Sequence, residues 1–276
     1  MRIIETRQGL EPGVPSVLVP TMGALHAGHD GLFDLARALA DEAGAQVIAS
    51  VFVNPAQFNE RGDFDAYPRT LEEDAARCEA RGVDIVFAPT VEVMYPEGEG
   101  VEVPPLPQIA TQPGLEDRYR PGHFPGVCKV CKRLFEITGC EQAVFGEKDW
   151  QQLQTVAAMV KGLGMPVRSV GGATVREPDG LAMSSRNVHL DASTRGQATS
   201  LVQAMQEAGR HDDPFEAERA GLEVLERAGV GTEYLAVRDA QTLGPVREGE
   251  QARVLVAARV GVTRLIDNAP WPGFTL

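Results

Sequence analysis

The sequence is short of the features that mark several common protein classes. Its 276 residues include four cysteines, Cys78, Cys128, Cys131 and Cys140. That number and spacing fit a reducing compartment better than a disulfide framework. No apolar run approaches the roughly 20 residues that a membrane helix requires. The stretch Met1-Arg2-Ile3-Ile4-Glu5-Thr6-Arg7 has no signal-peptide core, so a cytoplasmic location is expected. Basic residues are the minority. With 26 Lys and Arg against 39 Asp and Glu, the net charge is −13, which argues against a broad nucleic-acid or anionic-membrane surface. Lysine is rarer still: Lys129, Lys132, Lys148 and Lys161 are all there are, so Lys148 within Gly146-Glu147-Lys148-Asp149 stands out. Two nucleotide signatures are also missing, Gly-x-x-x-x-Gly-Lys-Ser/Thr and Gly-x-Gly-x-x-Gly. A nucleotide, if one binds, must be held in another way.

What is present is an ordinary globular composition, 43% apolar and 24% charged, with length enough for two domains. Apolar strand candidates at 16–20, 46–53, 84–89, 142–145 and 167–170 alternate with helical patterns at 28–42, 70–82, 127–138 and 150–162. Thr70-Leu71-Glu72-Glu73 has the spacing of a capping box. This alternation predicts an α/β fold, a Rossmann-like doubly wound parallel sheet, over 1–174. The long connections 54–69 and 90–125, the second rich in proline, are expected to wall a site. Beyond Gly171-Gly172 the pattern changes to helices at 192–210 and 214–228, then strands at 234–237, 253–260 and 263–266. A smaller α+β domain over 175–276 is expected.

The nonapeptide Thr21-Met22-Gly23-Ala24-Leu25-His26-Ala27-Gly28-His29, entered from Val17-Leu18-Val19-Pro20, sets two imidazoles beside a glycine where a strand becomes a helix. Backbone N–H groups exposed at a helix start, backed by the helix dipole, attract anions. A histidine there can donate to a phosphoryl oxygen. Taken alone, the pair is also compatible with a helix cap or a chance metal pair. Met183-Ser184-Ser185-Arg186 offers a second group of phosphate donors, and the two together point to nucleotide chemistry. Cys128-x-x-Cys131 reads differently. Val127, Val130, Cys131, Leu134 and Phe135 follow helical spacing, so the thiols are expected to be buried structural groups.

Five ordered stretches go further: Pro20-Thr21-Met22-Gly23-Ala24-Leu25-His26-x-Gly28-His29, Phe52-Val53-Asn54-Pro55-x-Gln57-Phe58, Tyr67-Pro68-Arg69-Thr70, Phe145-Gly146-Glu147-Lys148-Asp149-x-Gln151-Gln152 and Asp179-Gly180-Leu181-Ala182-Met183-Ser184-Ser185-Arg186-Asn187. Together they resemble the pantothenate synthetases, a family of HIGH-type nucleotidyltransferases. The resemblance continues through 259–268. It implies an ATP-dependent ligase working in two half-reactions. The carboxylate of pantoate attacks the α-phosphorus of ATP to give pantoyl adenylate and pyrophosphate, and the amine of β-alanine then displaces AMP. Adenylation supplies the leaving group that a carboxylate lacks at neutral pH.

The resemblance also implies site residues. Met22, Gly23, Ala24, Leu25, His26, Ala27, Gly28 and His29 would form the nucleotide site, with His29 as proton donor and His26 beside it on the phosphates. Gly146, Glu147, Lys148 and Asp149 would contact the nucleotide, Lys148 as a point charge on the phosphates. Val175 would touch the adenosine. Met183, Ser184, Ser185 and Arg186 would close over the triphosphate as the second domain acts as a lid. Gln57 and Gln152, helped by Asn54, would hold pantoate through neutral amides that offer both donors and acceptors. Mg²⁺ would accompany the phosphates, and the assembly would be a homodimer. Ser184 and Ser185 also read as an N-cap pair, Gln152 as a helix cap and Gln57 as a solvated loop residue. Arg120 and His123 match a loop near the family's site without a named role. Asp30 stands where an apolar or small residue is usual and is expected to point outward.

Overall fold

The computed structural model describes residues 1–11, 13–57, 64–65 and 67–276. Phe58 and the middle of the 54–69 connection therefore lie outside the described residues. The chain divides into two compact units, one of residues 1–147 and 151–173, the other of 148–150 and 174–276.

The first unit is built on a six-stranded parallel sheet in the order β1-β4-β3-β2-β5-β6. Its strands are β1 (Arg2–Ile4), β2 (Ser16–Thr21), β3 (Gln46–Val51), β4 (Ile85–Phe87), β5 (Gln142–Gly146) and β6 (Arg168–Gly172). Its longer helices among the described residues are α1 (Ala27–Ala43), α2 (Leu71–Ala80), α3 (His123–Thr138) and α4 (Trp150–Gly162), the last with Trp150 counted to the second unit. Val17 and Val19 of β2 pack with Val47, Val86 and Val144 against Leu32, Phe33 and Ala36 of α1. Leu18, Ile48 and Ile85 are equally buried. Strands apolar on both faces are what a doubly covered parallel sheet demands. The strand order reverses between β2 and β5, which pair through Val17–Gln142 and Leu18–Ala143. In such sheets the crevice for a ligand lies beyond the carboxyl ends of the strands at this switch point. The β2 end leads into 22–29, and the β5 end into Gly146-Glu147.

In the second unit, α5 (Ala192–Ala198), α6 (Ser200–Ala208) and α7 (Pro214–Ala228) precede an antiparallel sheet of β7 (Gly231–Asp239), β8 (Ala252–Val260) and β9 (Thr263–Trp271). Leu201, Met205 and Leu225 pack with Val254, Val256, Leu265 and Trp271 in a separate core. The start of α7 shows why the chain folds this way locally: Asp213 accepts from the Glu216 N–H at 2.9 Å and Pro214 opens the helix.

The α/β class and the antiparallel companion follow the patterning, but several details differ. The edge strand β1 was not predicted. The helix expected over 192–210 is two helices meeting at Thr199. The Thr70 capping box does not form; the Thr70 hydroxyl donates instead to Asp74 at 3.2 Å. Among the described residues, no helix is long and apolar enough to cross a membrane.

Candidate active site

Two histidines close the turn after β2 by capping one another. His26 is the N-cap of α1, and its Nδ1 accepts from the Gly28 N–H at 3.1 Å. His29 sits at the third helical position, where its Nδ1 accepts from the His26 N–H at 3.2 Å. This is a capping box with imidazoles in place of the usual hydroxyl and carboxylate. A neutral ring that accepts at Nδ1 carries its proton on Nε2. The network therefore assigns both rings the tautomer that presents an Nε2–H donor, with ring centroids 4.2 Å apart. The helix cap, one of the alternatives the sequence posed for this pair, is present.

The backbone of this turn departs from expectation. Instead of an exposed cradle of N–H groups, the Ala24 and Leu25 N–H groups donate to Asp74 at 3.1 and 2.7 Å. The Gly23 N–H donates to Thr21 Oγ1 at 3.2 Å. A carboxylate from α2 thus takes the place of an outside anion. Gly23 is obligatory here: its φ is +80°, and a Cβ would meet the Asp74 carboxylate at 2.8 Å. A cavity of about 300 Å³ opens beside this turn, lined by Met22, Gly23, Phe52, Val53, Arg69 and Asp74 among others.

Asp30 corrects another expectation. It is 9% exposed and faces α2. Arg77 donates to it at 2.8 Å and Arg81 at 3.0 Å. Two arginines one turn apart draw the carboxylate inward and neutralise it; their i,i+4 spacing was the available signal.

Gln57 and Asn54 stand on a second platform. Asn54 is fully buried. Its Nδ2 donates to Gln57 Oε1 and to the Gly126 carbonyl, both at 3.1 Å. Its Oδ1 accepts from the Ala56 N–H at 3.2 Å and the Tyr95 hydroxyl at 2.9 Å. Its polar atoms are thus spent on neighbours, and it orients the Gln57 amide. Gly126 lets α3 approach this turn, since a Cβ would lie 2.2 Å from the Ala56 carbonyl oxygen. On α4 the adjacent glutamines divide the work. Gln151, 3% exposed, ties down the proline-rich connection by donating to the Ile109 carbonyl and Asp117 and accepting from the Glu116 N–H, each at 2.9 Å. Gln152 is only half-buried.

In the second unit, the Lys148 side chain is 17% exposed and its ammonium lies 4.0 Å from Asp149. The 175–187 stretch turns back on itself, with the Met183 N–H donating to the Val175 carbonyl at 2.9 Å. Ser184 caps a short 3₁₀ turn, its Oγ accepting from the Arg186 N–H at 3.3 Å. Arg186 is exposed. In the first unit Arg120 Nη1 lies 3.0 Å from His123 Nε2.

The cysteines carry no reactive signature. All four are free and buried. Burial pushes the Cys128 thiol up to about 12 and the Cys140 thiol up to about 11, and raises Cys131 as well. Such groups stay protonated and are poor nucleophiles. Among the described residues, no three His, Cys, Asp or Glu side chains gather as a metal cluster would require.

Comparison with known proteins gives one consistent answer. The profile of the family described as pantoate-beta-alanine ligase matches residues 3–270. A pantothenate synthetase of Bradyrhizobium sp. is 48% identical over 91% of this chain and 89% of its own. One of Mycolicibacterium smegmatis is 49% identical over 91% of this chain and 79% of its own. Among solved structures, the Thermus thermophilus pantothenate synthetase superimposes with a TM-score of 0.89 at 43% identity, covering 99% of this chain and all of that one. The Francisella tularensis pantoate-beta-alanine ligase, solved in complex with beta-gamma ATP and beta-alanine, gives 0.77 at 31% identity, covering 98% and 97%.

Proposed function

The chain belongs to the pantoate-beta-alanine ligase family, and from that premise we propose which residues carry its reaction. The protein is an ATP-dependent ligase that condenses pantoate with β-alanine. Pantoate's carboxylate attacks the α-phosphorus, pyrophosphate leaves, and the β-alanine amine then attacks the acyl carbon of pantoyl adenylate and releases AMP.

His26 and His29 are the donors to the α-phosphate and the departing pyrophosphate. One observation carries this reading: the reciprocal cap at the switch point fixes both Nε2–H groups before substrate arrives. A preorganised donor does not have to reorient as charge develops, which makes it worth more than the same group in water. The remaining 22–29 residues supply the surrounding wall. Gln57, held by Asn54, and Gln152 bind pantoate. Gly146, Glu147, Asp149, Val175 and Met183 bind the nucleotide, while Lys148, Ser184, Ser185 and Arg186 contact its phosphates, the second unit acting as a lid. Mg²⁺ bound with ATP would supply neutralisation of charge on the pyrophosphate. A cytoplasmic homodimer is proposed, to be checked by fractionation and sedimentation equilibrium.

Mixing the protein with ATP, Mg²⁺ and pantoate should yield pantoyl adenylate by mass spectrometry, with AMP released only after β-alanine is added. AMP release without pantoate would sink the scheme. Gln57→Ala should chiefly raise the KM for pantoate, by about tenfold for a lost amide contact; an unchanged KM would remove Gln57 from the acyl site.

A further inference from the structure

The two stretches of the second unit assigned above to the phosphates, Lys148 and 184–186, are joined through one dipeptide of β9. Asp267 and Asn268 are adjacent, so strand alternation sends them to opposite faces of the sheet. Asn268 is 3% exposed. Its Nδ2 donates to the Lys148 carbonyl at 2.9 Å, and its Oδ1 accepts from Arg253 Nε at 2.8 Å. The Arg253 guanidinium lies 3.7 Å from the centroid of the Trp150 ring, whose indole N–H donates to the Ala240 carbonyl at 2.7 Å. Residues 148–150 are thereby gripped at both ends.

On the other face, the Asp267 side chain is 1% exposed. It accepts from Arg176 Nη1 at 2.7 Å and Nη2 at 3.0 Å, a bidentate pair. It also accepts from the Asn268 N–H at 2.8 Å. Arg176 Nη1 donates in addition to the Gly180 carbonyl at 3.0 Å, in the turn that leads to Ser184. Arg176 itself pairs with Ala182 across that turn. A continuous series of bonds thus runs from the Lys148 carbonyl through Asn268, Asp267 and Arg176 to the 180–186 segment. Burying a carboxylate and an amide side by side costs desolvation that apolar residues would avoid. Apart from Arg253, which packs on Trp150, and the Asn268 N–H itself, the groups these two satisfy belong to the two stretches, the Lys148 carbonyl and Arg176.

We propose that Asp267 and Asn268 are positioning residues for phosphate binding, holding Lys148 and the Ser184–Arg186 segment on one rigid frame. The inference rests on the reading of Lys148 as a phosphate ligand. Neither residue touches the reacting atoms. Each acts through a neighbour, so the readout is the binding and turnover of ATP with pantoate binding as the control.

Asn268→Asp is isosteric, keeps the acceptor for Arg253 and turns an oxygen toward the Lys148 carbonyl. The full-length variant should slow pantoate-dependent exchange of labelled pyrophosphate into ATP by about tenfold, the scale of one buried hydrogen bond. The KM for ATP should rise while that for pantoate stays at the wild-type value. In a Lys148→Ala background the substitution should add nothing, because residues acting as one unit are not additive. Wild-type exchange by Asn268→Asp, or its full effect on top of Lys148→Ala, would overturn the inference. Wild-type exchange by Lys148→Ala alone would instead overturn the reading of Lys148. If Asn268→Asp fails to fold, Arg176→Lys decides at the other end, since it keeps the charge but loses the bidentate geometry: a raised ATP KM with unchanged pantoate KM supports the frame, and an unchanged ATP KM overturns it.

Discussion

The imidazoles at the end of β2 are placed by bonds spanning two or three residues of sequence. Lys148, by contrast, is held by a residue 120 positions away, and the turn before Ser184 by a pair 91 positions apart. Both regions deliver cationic or N–H donors, but they specify geometry by different means. The first folds as a unit of helix and cap, so its peptide sequence nearly contains its structure. The second is held by bonds to β9, far along the chain. The local region should therefore tolerate distant change and the long-range region should not, and substitutions can test each half of that contrast.

The largest effect is expected at His29. His29→Ala removes a preorganised donor and should slow single-turnover adenylate formation by about 10²-fold or more. It also removes a cap bond, lowering stability in urea by about 1 kcal/mol. His29→Gln separates the two roles. Glutamine at the third helical position can accept from the N-cap N–H but cannot reproduce the Nε2–H, so stability should return while the rate does not. Full activity in His29→Gln would reduce the imidazole to a cap and break the contrast on the local side.

Asp74 sharpens it. The turn is not wholly local, because the Ala24 and Leu25 N–H groups depend on a carboxylate 50 and 49 residues further on. Asp74→Ala leaves two donors without their acceptor and should cost about 1–3 kcal/mol in urea unfolding, the penalty for unsatisfied part-buried groups. Adenylate formation should also slow, by less than in His29→Ala, since both rings and their mutual cap remain. Unchanged stability would mean that the turn is self-contained.

The same division explains what could be read in the chain. The sheet, its helices and the second apolar core were legible because each follows a period of two or of about 3.6 residues. The exceptions are places where tertiary contacts overrule a short pattern. β1 has three residues at an edge, defined by its pairing with β4. α3 begins at His123, earlier than the apolar spacing suggested, because Pro125 is tolerated in a first helical turn. Thr70 abandons its capping box for Asp74. Within the candidate site, His26, His29 and Lys148 stand in contiguous motifs and could be named. Asp74 and Gly126 could not, and Gln151, Asp267 and Asn268, although they stand in matching stretches, could be given no role, since what all five do is fixed by partners distant in sequence. Gly126 is a single glycine among helix formers until Ala56 is seen against it.

The smallest expected effect concerns the turn that carries Ser184. Arg195 donates to Glu177 at 2.5 Å and to Asp179 at 2.7 Å, and Asn187 adds a bond to Glu177 at 2.6 Å. The Arg195 guanidinium holds both carboxyls below their ordinary values and outweighs burial, which pushes the other way. A folded value below the unfolded one means that the stabilisation is present above the ordinary carboxylate range and is lost as pH falls through the depressed values. The Glu177 and Asp179 side chains are 24% and 35% exposed, so solvent screening limits the contribution to less than about 1 kcal/mol. Arg195→Gln should accordingly be slightly less stable than wild type in urea at neutral pH, and the gap should close in acid as pH falls through the depressed carboxyl values. A gap that persists undiminished in acid would show Arg195 supporting the turn through its apolar stem and not through its charge.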